Sequence, residues 1–341
     1  MSTRYPGGII TKTPVTPAGP NQCGAAPGIW TLNQQIQAQK LGIWPTQGTA
    51  VGTVAIFALG FTPNCPSTTR NKYTFSNCVN AVATASSDVS GYGSAAGNST
   101  VGIFALGRAD YACCCYVMSD KREKYTYSSC SSAGATAASV ASEAGAAAGN
   151  STFGIFALGN TAGARTTRNK YTYSSNVNAA ATSSSADSTE GSAAGNCAVG
   201  IFALGISTGG PASTTRNKYT YSGCVNAVAT ASSAASSSGA AAGTSTFGIF
   251  QLGNATTTRN KYTYSGCTNA AATAASLTTQ YGAAAGNATV GIFALAQAAF
   301  NASATRNKYT YSGCVSAAAT AASAASTRQA AASNGTTGVN A

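Results

Sequence analysis

Apolar residues fall along this chain in short alternating runs rather than at helical spacing. In Gly102–Gly107, Ile103 and Ala105 point one way while Phe104 and Leu106 point the other, so both faces are apolar. Such a strand must be covered on both sides, as in a sheet packed between two others. Further on, Tyr125 and Tyr127 alternate with Lys124 and Thr126, which predicts a strand with one aromatic face. Val225–Ala231 alternates again and predicts a third strand. Ala95–Thr100 (AAGNST) carries the small side chains wanted where strands crowd about an axis, with a Gly-Asn turn into the apolar run.

These runs recur. The apolar hexapeptide stands at Ile56–Gly60 (led by Ala55), Gly102–Gly107, Gly154–Gly159, Gly200–Gly205, Gly248–Gly253 (Gln251 for Ala) and Gly291–Leu295. An Arg-Asn-Lys-Tyr-Thr-Tyr motif starts at Arg70, Arg122, Arg168, Arg216, Arg259 and Arg306, with Phe75 and Glu123 as its departures. From each motif Arg to the next hexapeptide Phe the distance is 34 residues throughout, while the Phe-to-Phe step varies from 43 to 52. A segment that tolerates no insertion is one whose residues have partners in register. The variable gap before each Arg is then a surface loop, and successive loops belong on one side of the molecule.

Four short strands in a repeat of this length match a propeller blade, whose repeats run roughly 40–50 residues. Helix for the Ala-rich stretches, of which 227–242 is the cleanest, is the rival reading. The interrupting Ser, Thr and Gly and the rigid spacing favour strand; a β-solenoid is the other rival, though its coils are usually shorter. The chain ends complement one another. Residues 48–51 lack the Ala-Ala-Gly-Asn that precedes other hexapeptides, and Ala331–Asn334 resembles the missing piece. Thr337–Ala341 stands where a seventh hexapeptide would begin, without its Phe and Leu. The expected architecture is all-β: a six-bladed β-propeller-like domain over 46–341, closed by its C-terminal strand.

Residues 1–45 differ. Residues 1–27 are rich in Pro and Gly and read as an extended arm. Thr31 is placed to cap a short helix over 32–41, stopped by Gly42 and Pro45. Leu32 and Ile36 share its face, and the two Trp residues of the chain, Trp30 and Trp44, flank it. Those four residues serve either as a cap on the repeat domain or as an anchor on a larger assembly.

The chain is poor in charge, with 8% charged residues and 19 basic against 7 acidic. Few charges together with regularly spaced Ile-Phe-x-Leu argue against disorder. No apolar run approaches the roughly 18 residues of a membrane span, so no membrane insertion is expected. Met1–Arg4 lacks a signal-peptide core, so work outside cells would need lysis or another export route.

Eleven cysteines fall into two groups. Cys78, Cys130, Cys224, Cys267 and Cys314 occupy one repeat position, with Asn176 in the third repeat. Equivalent positions around a ring lie beyond the ~7 Å Cα separation that a disulfide allows, so these read as buried, small apolar thiols. Cys23, Cys65, Cys113, Cys114, Cys115 and Cys197 are the candidates for any bridge. With no His and no Cys-x-x-Cys pair, neither a zinc site nor another cofactor is expected.

Nothing supports catalysis. Triads and His-based acid–base work are excluded, and none of the seven acids recurs at a fixed repeat position. The repeated chemistry is basic: Arg70, Lys72, Arg122, Lys124, Arg168, Lys170, Arg216, Lys218, Arg259, Lys261, Arg306 and Lys308. These are either solvated strand edges that block edge pairing, or a ring of positive charge for an anionic partner such as a host-surface acidic glycan. Nucleic acid is not the expected partner, because the tyrosines are needed in the core. The longest loop, 108–121, carries Tyr111 and Tyr116 as candidate contacts. Asn98 and Asn150 sit in glycosylation-type sequons but read as turn residues.

Two resemblances bear on function. Gly28-Ile-Trp-Thr-Leu, a Gln-rich helix and a Trp44-Pro45 end, with Pro6–Pro14 before them, resemble the amino-terminal part of tailed-phage virion proteins, cyanophage ones included. The resemblance covers about the first 45 residues. It implies a structural component of the virion, a tail or fibre-associated protein made in the host cytoplasm, that associates with other virion proteins and with copies of itself. The repeats over 46–341 are similar to kelch-type propeller repeats, but carry a single Gly after the apolar strand and no Trp. The alternative is a cellular or extracellular adhesin or scaffold propeller that binds anionic polysaccharide.

Overall fold

A computed structural model describes residues 52–335 apart from 63–64, 111–115 and 297–301, together with 31, 33, 34, 36 and 37. Each repeat forms a four-stranded antiparallel sheet, and six such sheets make a six-bladed β-propeller. Within a blade the order from the axis outward is a small-residue strand, the apolar strand, the Arg-Asn-Lys-Tyr-Thr strand and a peripheral strand; in the fifth blade these are Ala240–Gly243, Phe247–Gln251, Arg259–Thr263 and Thr268–Ala272. The inner strands are fully buried, and every second and third strand keeps one register, Ile against Lys, Phe against the residue after the motif Arg.

The Gly that opens five of the six hexapeptides is a packing requirement; the first has Ala55 there, with Phe75 in place of the hydroxyl-bearing Tyr. A Cβ on Gly154 would lie 2.9 Å from the Ala96 Cβ of the preceding blade and 2.9 Å from the Tyr173 hydroxyl. Small residues on both inner strands let neighbouring blades touch near the axis, and the last residue of each motif, Tyr in five blades and Phe75 in the first, fills the space behind them.

The ring closes as the chain ends foretold. Ala330–Ser333 pairs antiparallel with Val54–Ala58, Phe57 opposite Ala331, and becomes the inner strand of the first blade. Asn334 Oδ1 accepts from the Val54 amide at 2.9 Å. The residues from 337 onward lie outside those described.

The hairpin cysteines are free thiols as expected, but less buried than the sequence reading had them. They are half-buried, and each sits at a left-handed φ of 49–56° in the turn between the third and fourth strands. Asn176 adopts φ 53° at the same place. Each cysteine packs against a hydrophobic cluster as a small thiol does, and the turn, for which Asn is also well suited, sets the second demand on the position. Cys65 is held in a disulfide, and Cys197 is a free thiol. Cys23 and Cys113–Cys115 lie outside the described residues.

Thr31 does cap a helix. Its hydroxyl accepts from the Gln34 amide at 3.3 Å while Gln34 Oε1 accepts from the Thr31 amide at 2.9 Å, a reciprocal capping box. Ile36 is helical and 38% exposed. Trp30, Leu32 and Trp44 lie outside the described residues.

Candidate functional site

The six motif arginines are not at the surface. Arg70, Arg122, Arg168, Arg216, Arg259 and Arg306 are 0–2% exposed, which corrects the reading of them as solvated edges or as half of a basic ring. Each shares a face with the apolar strand's Ile, and that face lies on the Phe–Tyr face of the next blade. Arg168 stacks 4.5 Å from the Phe202 ring centroid and Arg306 stacks 4.4 Å from Phe57 across the closure. Each guanidinium also reaches two polar side chains of the next blade: Arg168 donates to Asn226 Oδ1 at 2.7 Å and to Asn217 Oδ1 at 3.4 Å.

Burial without a carboxylate is costly for a charge. Desolvation pushes Arg122, Arg168, Arg216, Arg259 and Arg306 down to about 10, so they remain cationic at neutral pH. Two of the departures from the repeat ease this. Glu123, where other blades have Asn, forms an ion pair with Arg70 at 2.8 Å. Gln251, where others have Ala, accepts from Arg259 Nε at 2.7 Å. The Nε atoms of Arg122, Arg168, Arg216 and Arg306 have no such partner.

The motif lysines, two residues further along the same strand, are half-buried. Lys72, Lys218 and Lys308 each place Nζ 3.5–3.8 Å from the hairpin Cys Sγ of the next blade. Lys124 instead donates to Asn176 Oδ1 at 3.3 Å. Lys170 and Lys261 lie over the rings of Phe153 and Phe247 at 4.4 and 4.3 Å.

The distinctive surface lies on the axis. Tyr92, Ala144, Glu190, Ser238, Tyr281 and Arg328 stand 22 residues after their motif Arg, at one equivalent position in every repeat. All six have φ between 51° and 61°. The left-handed turn aims each amide at its neighbour's carbonyl, and the result is a closed circuit. Ala144 donates to Tyr92, Glu190 to Ala144, Ser238 to Glu190, Tyr281 to Ser238, Arg328 to Tyr281 and Tyr92 back to Arg328, at 2.7–3.2 Å. This ring of backbone hydrogen bonds draws the six turns together at the mouth of the axis.

Around that symmetric backbone the side chains all differ in arrangement. The Arg328 guanidinium lies 4.3 Å from the Tyr92 ring and 5.3 Å from Tyr281, with Phe61 at 4.6 Å. Such stacked guanidinium–aromatic contacts strengthen as water is excluded. Glu190 accepts from the Ser238 hydroxyl at 2.5 Å. Arg108 stacks on the outer side of Tyr92 at 4.7 Å and is paired with Glu143, which Asn160 also holds at 3.0 Å. Burial pushes the Tyr92 phenol up to about 12, against the pull of Arg328, and raises Tyr281. Both phenols are therefore neutral donors and acceptors at physiological pH.

The variable loops share this end. Bridges Ser67 to Ser90, Ser119 to Ser142 and Ser213 to Ser236 tie each loop to the linker that runs into the mouth. In the longest loop, Arg108–Asp110 pairs antiparallel with Tyr116–Met118, so Tyr116 stands on an extra hairpin beside the mouth. Tyr111 lies outside the described residues. The mouth residues were missed by motif searching because they are not a motif. The signal is the reverse: a fixed column in the aligned repeats where Tyr, Ala, Glu, Ser, Tyr and Arg follow one another.

Among the described residues no group of three or more His, Cys, Asp or Glu is placed to hold a metal, and no helix is long and apolar enough to cross a membrane. The arrangement offers aromatic faces, a guanidinium, a carboxylate and neutral hydroxyls on a rigid ring, which suits recognition.

No family model and no curated protein matches the chain. Among solved structures it is similar to the structure of YjhT, with a TM-score of 0.61 at 9% identity, over 80% of this chain and 98% of that one. At that identity the likeness shows the fold alone.

Proposed function

We propose that this protein is a non-enzymatic structural component of a tailed-phage virion, whose residues 1–45 attach it to the particle and whose propeller is displayed as a binding platform. The observation that carries the binding half is the mouth of the axis. There a backbone repeated six times presents side chains of five different kinds, with only Tyr occurring twice, whereas the repeated arginines pack blade against blade. Residues preserved in every blade serve the fold, and the column freed from that constraint is where a single partner is read. The face suits a polar, hydroxyl-bearing partner such as a host-surface saccharide, or a neighbouring virion protein. A basic ring of twelve side chains is no part of the proposal, since its six arginines are buried.

The attachment half is supported by the virion-like segment around Gly28–Pro45 and its Thr31-capped helix. Mass spectrometry of purified particles should detect the full chain, and removing residues 1–45 should abolish incorporation while leaving a domain with the intact chain's β-sheet spectrum. Absence from particles would favour the cellular adhesin. Release of reducing ends from host polysaccharide by the purified protein would overturn the non-enzymatic reading.

A further inference from the structure

Cysteine is a poor choice for a left-handed turn. That conformation costs most side chains roughly 1–2 kcal/mol, and Asn and Gly tolerate it best. Yet five of the six hairpins carry Cys there, and the sixth shows that Asn176 makes the same turn at φ 53°. The turn therefore does not require sulfur. All five thiols rest on an apolar cluster and lie 3.6–3.9 Å from the carbonyl three residues back, and three of them have a further neighbour. In three interfaces a lysine of the preceding blade points at the thiol: Lys72 Nζ to Cys130 Sγ at 3.8 Å, Lys218 to Cys267 at 3.5 Å and Lys308 to Cys78 at 3.8 Å.

We propose that these three pairs are oxidative cross-linking sites, at which a hydroperoxide joins lysine nitrogen to cysteine sulfur across the blade interface. The thiol sulfur attacks one peroxide oxygen, the O–O bond breaks, and water leaves, giving the sulfenic acid. The lysine, having lost its extra proton to solvent, then attacks that sulfur as a neutral amine. The S–O bond breaks and hydroxide departs with an amine proton as a second water. One peroxide is reduced, sulfur is oxidised by two electrons, and an S–N bond remains, the condensation known for sulfenic acids with nitrogen.

The geometry favours this fate over others. Thiols at equivalent positions in neighbouring blades are too far apart to form a disulfide with one another. Each hairpin is also clamped against the blade that supplies its lysine: the hydroxyls of Thr84, Thr230 and Thr320 donate to the carbonyls of Cys130, Cys267 and Cys78. Both reacting groups are half-buried, so a small peroxide can reach them. The Lys308–Cys78 pair spans the seam where the last blade meets the first, so its bond would lock the ring shut.

Which interfaces react follows from one residue. Where the apolar strand opens with Val54, Val199 or Val290, the lysine reaches the next blade's Cys. Where it opens with Phe153 or Phe247, Lys170 and Lys261 fold onto that ring instead, away from Cys224 and Cys314.

The test is peptide mapping of the full-length protein after hydrogen peroxide treatment at neutral pH. Three linked peptide pairs are expected, Lys72–Cys130, Lys218–Cys267 and Lys308–Cys78, each about 2 Da lighter than its parts for the two hydrogens lost. Phe153→Val should add a Lys170–Cys224 link, and Cys267→Asn should delete one link while keeping the turn. Cysteines carried to sulfinic acid with every lysine still open to trypsin would overturn the proposal. So would cross-links spread equally over all five Cys-bearing interfaces, or a Phe153→Val protein that folds and gains no link.

Discussion

At the scale of single residues, the molecule's most unusual feature is a set of buried guanidiniums that mostly lack acids. Arg216 is fully buried, its Nε has no partner, and it leans on Phe250 at 4.6 Å and on Asn269 and Asn260. One blade shows the remedy, because Gln251 sits directly opposite Arg259 in the ladder and takes its Nε proton. Ala203 holds the same place opposite Arg216. Ala203→Gln should therefore raise stability by about 1 kcal/mol, the net worth of a buried hydrogen bond, read as a higher urea midpoint at unchanged slope. A fall in the midpoint would mean that the Gln251 site owes its room to neighbours that blade four lacks.

At the scale of strands and turns, the close approach of inner hairpins dictates composition. In five blades the glycine that opens the hexapeptide faces an alanine of the blade before it and the motif's second Tyr hydroxyl. Gly154→Ala adds a methyl where 2.9 Å is available, and overpacking of that kind costs about 1–3 kcal/mol. The variant's thermal midpoint should drop accordingly, and by more than that of Gly134→Ala, whose added Cβ would meet nothing within 4 Å. Equal effects at the two positions would show that strand propensity, not packing, governs these glycines.

At the scale of the whole ring, stability against pH is a contest between two buried groups of opposite sign. Burial raises thirteen tyrosines above their ordinary value of 10.0, Tyr125, Tyr219 and Tyr262 to about 12 and Tyr127, Tyr221 and Tyr264 well above. Above pH 10 the unfolded chain sheds phenolic protons that the folded one keeps. Stability present below that pH is thus lost as pH climbs toward 12 and beyond. Burial lowers six arginines from their ordinary value, five of them to about 10, and these act the other way, since the folded chain sheds the proton at a pH where the unfolded chain still keeps it. Tyrosines outnumber arginines, so the urea midpoint should hold from pH 7 to 9 and decline above about 10. A midpoint that rises above pH 10 would show that the guanidiniums lose protons before the phenols do.

The four strands of each blade, the number of blades and the closure of the ring were legible in the linear order of residues, whereas the extra hairpin of Arg108–Asp110 with Tyr116–Met118 was not. Alternation over five residues decides which side chains share a face, a spacing that admits no insertion implies fixed register, and ends that complete one another imply a seam. What lies opposite a face is not written in that order. Arg70, Lys72 and Ile56 fall on the same side of one sheet, but only the neighbouring blade decides that Arg70 meets Phe104 and Glu123 while Lys72 reaches Cys130. The mouth is a product of assembly for the same reason. Tyr92, Glu190, Tyr281 and Arg328 are far apart along the chain and become neighbours because six identical turns converge on one axis, so their chemistry exists only once the ring has closed.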